Sequence, residues 1–268
     1  MTLVLALRWN RDGVVISSDS KVTVGPVSYE ARKVYPILLK VNDDYVPLAI
    51  ARGVGDVSLI KQSYRICEKV LIDLAVKEWN KKTPSFSQFE EAVRHIESIL
   101  IGRFKELREQ GVEFNFNMIL ASVDRDGEVS MYLYDERGLA EPVHDNPGFA
   151  VIGTGFYTGG NLLLRLLGYS PEESHKLDVG ALSTFIIDVI SEIDPAVGPF
   201  IGESYYMRLG EEGVLLGSLK EEAIKEYKEK TRRRKELIRR RMFDTAGEQN
   251  ILKKIGELEK ELPKRGNA

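Results

Sequence analysis

Residues 2–23 read Thr-Leu-Val-Leu-Ala-Leu-Arg-Trp-Asn-Arg-Asp-Gly-Val-Val-Ile-Ser-Ser-Asp-Ser-Lys-Val-Thr. The run from Thr2 to Trp9 is rich in Leu and Val but alternates poorly. Asn10-Arg11-Asp12-Gly13 then supplies turn chemistry, and Val14-Val15-Ile16 returns to strand character. A β-hairpin therefore opens the chain. More strand-like runs follow at 33–41 and 45–51, the second leading into Arg52-Gly53-Val54-Gly55-Asp56.

From Asp56 the period changes. Ile60, Tyr64, Cys67, Leu71 and Leu74 recur every three or four residues, marking an amphipathic helix with Asp56 as its expected N-cap. Thr83-Pro84-Ser85 interrupts it. A second helix carries Phe89, Val93, Ile96, Leu100, Phe104 and Leu107 and stops near Gly111. Strand patterns resume at 115–123 and 128–134, joined by Asp124-Arg125-Asp126-Gly127. Val151-Ile152 then leads into Gly153-Thr154-Gly155. Leu162 to Leu167 forms a further helical segment, and Leu182, Phe185, Ile186, Val189, Ile190 and Ile193 another, broken by Asp194-Pro195. Strands at 198–209 and 213–216 close the core. Runs of strands alternating with pairs of helices suit two stacked antiparallel sheets with helices on both outer faces, although other layered α+β arrangements share this pattern.

Composition sets the remaining bounds. The chain has 268 residues, 43% of them hydrophobic and 29% charged, ordinary for a globular protein with a full-sized core. A formal charge of −3 gives no electrostatic reason to expect a nucleic-acid or membrane partner for the whole molecule. Cys67 is the sole cysteine, so no intrachain disulfide or thiolate cluster can form, which fits a reducing cytoplasm. His95, His144 and His175 lack metal-ligand spacing, and neither metal nor cofactor is expected. No apolar run is long enough to span a bilayer, and no basic segment precedes the first strand; a soluble cytoplasmic protein is expected.

From residue 218 the composition shifts to Lys, Arg and Glu. Seven of the ten residues 232–241 are basic. Interleaved Glu residues and the lack of an aromatic stacking platform argue against a nucleic-acid role for this tail, and docking to a neighbouring subunit is preferred. Leu219, Ala223, Tyr227, Leu237 and Ile238 offer an intermittent apolar stripe for such docking. The expected organisation is a domain over 1–217 and a charged helical extension over 218–268.

The chemistry begins at Thr2. Methionine is normally trimmed when a small residue follows it, so removal of Met1 would give Thr2 a free α-amine beside its own hydroxyl. Such an amine has an ordinary pKa of about 7.7–8.0, close enough to neutrality to accept the hydroxyl proton during attack on a carbonyl. Thr2 followed by Asp19-Ser20-Lys21-Val22-Thr23, Arg32-Lys33-Val34, Gly153-Thr154-Gly155 and Asp194-Pro195-Ala196-Val197-Gly198 resembles the proteasome β family of N-terminal-nucleophile (Ntn) hydrolases. The resemblance covers roughly residues 2–217. It implies an αββα sandwich, no cofactor, a peptide or unfolded-protein substrate and assembly into a homo-oligomeric ring.

By the same resemblance Thr2 is the nucleophile, Lys33 tunes it, Asp19 holds Lys33, and Asp194 supports both the Thr2 amine and Thr154. Substrate would lie between Thr23 and the segment Ile50, Arg52, Gly53 and Val54, with a backbone N–H of that segment forming the oxyanion hole. Two departures stand out: Arg52 occupies a glycine position, where its bulk is expected to narrow the cleft, and Val197 replaces a serine. The activity implied is that of a threonine endopeptidase. The alternatives are a transpeptidase or protein ligase of the connectase type, and a non-catalytic ring or scaffold subunit.

Overall fold

The computed structural model describes residues 2–10, 12–19, 21–24, 27–30, 34–198 and 201–243. Strands β1 (Leu3–Trp9) and β2 (Gly13–Asp19) form the opening hairpin, with Val4 opposite Ser18 and Trp9 opposite Gly13. A short hairpin of β3 (Lys21–Val24) and β4 (Val27–Glu30) follows, then β5 (Tyr35–Val41) and β6 (Asp44–Gly55). Helices α1 (Val57–Lys77) and α2 (Phe86–Glu109) come next, and then β7 (Phe116–Val123), β8 (Val129–Tyr134), β9 (Ala140–Pro142) and β10 (Phe149–Gly153). A π-type turn over Phe156–Gly160 leads to α3 (Asn161–Leu166) and α4 (Val179–Ile193). The chain ends its described course in β11 (Ile201–Gly210), β12 (Gly213–Ser218) and α5 (Glu221–Phe243).

Two five-stranded antiparallel sheets are stacked, one in the order β10-β1-β2-β11-β12 and the other β5-β6-β7-β8-β9. Side chains alternate between the inter-sheet space and the outer faces. Val4, Ala6, Val14 and Ile16 of the first sheet meet Ile50, Ile119, Ala121 and Met131 of the second. Leu3, Leu5, Leu7 and Val15 point the other way, onto Ile186, Ile187 and Ile190 of α4. Both faces of β1 are thus covered, which is why its sequence alternates poorly. On the opposite outer face, Met118 and Leu120 of β7 pack against Cys67 and Leu71 of α1 and Phe89, Ile96 and Leu100 of α2. Helix, sheet, sheet and helix form the αββα sandwich. No described helix is long and apolar enough to cross a membrane.

The helix ends show one expectation corrected. Ser85 starts α2 with a full capping box, its hydroxyl accepting from Gln88 N while the Gln88 side chain accepts from Ser85 N. Asp56 holds the cap position of α1 but makes no cap bond. Its carboxylate accepts instead from Asn115 N at 2.9 Å, tying the start of α1 to β7. The long-range bond wins because Asp56 N also donates to Asn115 O at 2.9 Å, so the two backbones already lie side by side.

The charged tail begins as α5, which lies on α4 of its own chain. The residues turned inward are Ile224, Tyr227, Thr231 and Lys235. Leu237 and Ile238, expected in an apolar stripe, are exposed.

Candidate active site

The site is built where the open ends of β1 and β2 meet. Pairing of Val4 with Ser18 places Thr2 and Leu3 beside Asp19, although 17 positions separate Thr2 from Asp19. The Thr2 hydroxyl donates to Asp19 Oδ1, which also accepts from Leu3 N at 2.9 Å. Asp19 Oδ2 accepts from Lys21 N and from Gly198 N, both at 3.0 Å. A carboxylate only 1% exposed thus gathers one hydroxyl and three backbone N–H groups. Such saturation offsets its desolvation and fixes its orientation.

The flanking strand is shaped to receive Thr2. Leu3 pairs with Gly153 across β1 and β10. Gly153 has φ 93°, and a Cβ there would overlap the Thr2 carbonyl oxygen, so the close approach admits glycine alone. A Cβ on Gly153 would also stand 3.4 Å from Val54 Cγ1, which puts Val54 near Thr2. Thr154 follows directly. Its hydroxyl is buried and makes no hydrogen bond among the described residues.

The loop after α4 closes the other side. Asp194 Oδ1 accepts from Ala196 N at 2.9 Å, and Val197 N donates to Asp194 O at 3.0 Å. This turn presents Gly198 N to Asp19, and Lys21 Nζ donates to Pro195 O at 2.6 Å. Asp194 therefore meets the site through the turn that it shapes. The buried Val197 side chain packs with Leu3 and Ile190 in the cluster beneath α4, an apolar place where a serine hydroxyl would need a partner.

Arg52 behaves differently from the sequence expectation of a side chain crowding the cleft. It is 5% exposed and folds inward. Nη1 donates to Gly53 O, while Nε and Nη2 approach Ser18 Oγ at 3.4 Å. Burial lowers the guanidinium to about 10, opposed by the fields of Asp19, Tyr35 and Glu203, so it stays a cation at neutral pH. A permanent positive charge is thereby installed next to the Asp19 end of β2. Gly53 itself lies under α1, since a Cβ there would come 2.8 Å from Ile60.

Of the other residues singled out from sequence, Ile50 is fully buried among Ile16, Ile119 and Ala121, where it packs the inter-sheet core. Lys33 and the Thr23 side chain lie outside the described residues. The neighbour of Lys33 is informative: Val34 is buried between the sheets, and its N–H donates to Glu203 Oε2 at 3.0 Å. Glu203, Ser18, Lys21 and Gly198 were not among the expected site residues. Lys21 carries a sequence signal through its place two residues after Asp19; an N–H such as that of Gly198 carries none.

A separate groove of about 630 Å³ lies beyond β10, lined by Phe149, Val151, Phe156, Tyr157, Leu162 and Arg165 among others. Neither Thr2 nor Asp19 lines it.

With the sandwich and the Thr2–Asp19 pairing in place, comparison with solved structures is decisive for the fold. The Anbu (Gly-1) mutant from Hyphomicrobium sp. strain MC1 superimposes with a TM-score of 0.65 over 91% of this chain and 97% of that one. This is the proteasome-like Ntn fold. Sequence identity with Anbu is 14%, so the likeness carries architecture and not activity. No protein-family model and no curated protein matches the sequence.

Proposed function

We propose that the chain is a threonine-type Ntn peptidase, acting through Thr2 once Met1 has been removed. The observation that carries the reading is the bond from the Thr2 hydroxyl to a buried carboxylate that three backbone N–H groups hold in place. Asp19, accepting four donors, anchors the hydroxyl in place. The α-amine of Thr2 then takes the hydroxyl proton as Oγ1 attacks the substrate carbonyl carbon. The C–O bond forms and the carbonyl π electrons move onto oxygen, where backbone N–H groups of the 52–54 segment stabilise the charge. Collapse expels the amine product, which takes a proton from the Thr2 ammonium. Water then cleaves the acyl ester and restores the hydroxyl. Lys33, in this reading, favours the alkoxide, while Arg52 adds a buried cation next to the Asp19 end of β2. Thr154 receives a proton donor or water when substrate binds, and Val54 lines the pocket beside Thr2. We further propose that the protein works as a homo-oligomeric ring in a reducing compartment on peptide or unfolded-protein substrates.

The test is covalent. Incubation with an epoxyketone or β-lactone, followed by peptide mass mapping, is expected to show Met1 absent and one adduct on Thr2, lost in Thr2→Ala. Retained Met1 with no adduct would instead mark a non-catalytic scaffold. Adding a second peptide as nucleophile separates hydrolysis from ligation by the mass of the product.

A further inference from the structure

The register of α5 on α4 has a consequence for the site. Tyr227 stands against Gly180, where a Cβ would meet its ring at 2.8 Å, and its hydroxyl pairs with Asp178. Eight residues later, Lys235 Nζ reaches Asp188 and, at 2.6 Å, Glu192. Contacts on both helices advance together, so α5 runs parallel to α4. At the shared rise of about 1.5 Å per residue, positions 239–241 come level with the end of α4 at Ile193 and Asp194. That end is the turn whose Gly198 N–H and Pro195 carbonyl engage Asp19 and Lys21.

The last turns of α5 are strongly basic. Arg232, Arg233 and Arg234 are exposed, and none forms an ion pair among the described residues. Lys235 is occupied by α4, and Arg240 bonds Glu236 at 2.8 Å on an exposed surface, a weak pairing. The inward side of the helix, at Ile224, Tyr227, Thr231 and Lys235, is committed to α4, so the arginines are not needed to hold α5. A chain of formal charge −3 has concentrated positive charge along the second half of one helix, which leads to the turn after α4.

We propose that this arginine-rich end of α5 is a docking surface for acidic stretches of polypeptide, placing them beside the Thr2–Asp19 site. Glu226, Glu229 and Glu236 interrupt the basic surface. A continuous phosphate backbone laid along the helix would meet carboxylates on both sides of the run from Arg232 to Lys235, whereas a peptide with spaced Asp and Glu residues can avoid them. The one aromatic residue on the described helix before its final position, Tyr227, is turned to α4, which leaves no stacking platform along that length. Docking raises the local concentration of such segments at the site, and the arginine field speeds their arrival. The surface exists whatever Thr2 does; its role as a substrate guide rests on the peptidase reading.

The experiment uses the full chain, fluorescein-labelled poly(L-glutamate), and the triple variant Arg232→Glu/Arg233→Glu/Arg234→Glu, with helix content checked by circular dichroism. Anisotropy is expected to show binding at low salt that weakens about tenfold or more in the variant and persists in Thr2→Ala. If the reversed charges unfold α5, the triple Gln variant provides the same comparison without new carboxylates. Equal binding by wild type and variant, no binding by wild type, or tighter binding of a thymidine oligonucleotide of matched charge overturns the proposal. Bound poly(L-glutamate) should also slow labelling of Thr2 by the electrophile in wild type and not in the variant. Undiminished labelling would reject delivery to the site. Failure of Thr2 to label at all would reject the peptidase reading, while anisotropy alone would still decide the docking surface.

Discussion

Asp19 gathers a hydroxyl and three backbone N–H groups on its two oxygens, so its loss would leave buried donors without an acceptor. Asp19→Asn keeps the size but turns an NH2 group toward one pair of donors. We expect a loss of roughly 2–4 kcal/mol in urea unfolding, from buried N–H groups left without an acceptor, and labelling of Thr2 slowed by about a hundredfold. Gly153 tests the shape of the site independently of charge. Gly153→Ala forces a Cβ onto the Thr2 carbonyl at φ 93°, and a cost of roughly 2–4 kcal/mol with loss of labelling is expected. A variant as stable and reactive as wild type would show that β10 does not approach Thr2 so closely.

At the scale of elements, the two outer helical layers rest on different supports. Helix α2 has local chemistry of its own in the Ser85–Gln88 box, and Ser85→Ala should cost about 1 kcal/mol by the same urea measurement. Its packing partner α1 lacks a side-chain cap bond and depends on burial. Leu71, fully buried against the second sheet, should cost about 2–5 kcal/mol when replaced by Ala. Helix α4 is held on one side by the apolar face of β1 and on the other by α5, so its C-terminal turn, and with it Gly198, is braced from both directions.

For the whole molecule, the ionisable groups buried in the core set an alkaline limit. Burial pushes the Cys67 thiol from 9.0 up to about 12, with a backbone hydrogen bond only partly opposing it. Burial likewise raises Tyr132 to about 12, and Tyr134 and Tyr169 move in the same direction. In each case the unfolded chain loses its proton first as pH rises. The stabilisation is therefore complete below about pH 9 and declines from there toward pH 12. Urea midpoints measured between pH 8 and 11 should fall steadily above about 9, and Cys67→Ala should flatten part of that decline. Native protein at pH 8 should resist iodoacetamide at Cys67 and react once unfolded; ready native alkylation would contradict the burial.

Much of this arrangement was legible in the chain itself, because periodicity reports which faces are covered. Residues at helical spacing from Ile60 to Leu74 and from Phe89 to Leu107 announced α1 and α2, and the apolar run of β1 required cover on both faces. The pairing of Thr2 with Asp19 follows from hairpin register, a local property of residues 2–19. Other features needed the fold. Asp56 abandoned its cap for the Asn115 N–H just before β7, Arg52 turned inward to Ser18, and Gly198 brought an amide to Asp19 from 179 residues away. Backbone donors are alike in every residue, so no amino-acid code marks the one that will be used. A side chain with several available partners chooses among them by distance, and those distances exist only after the layers have packed.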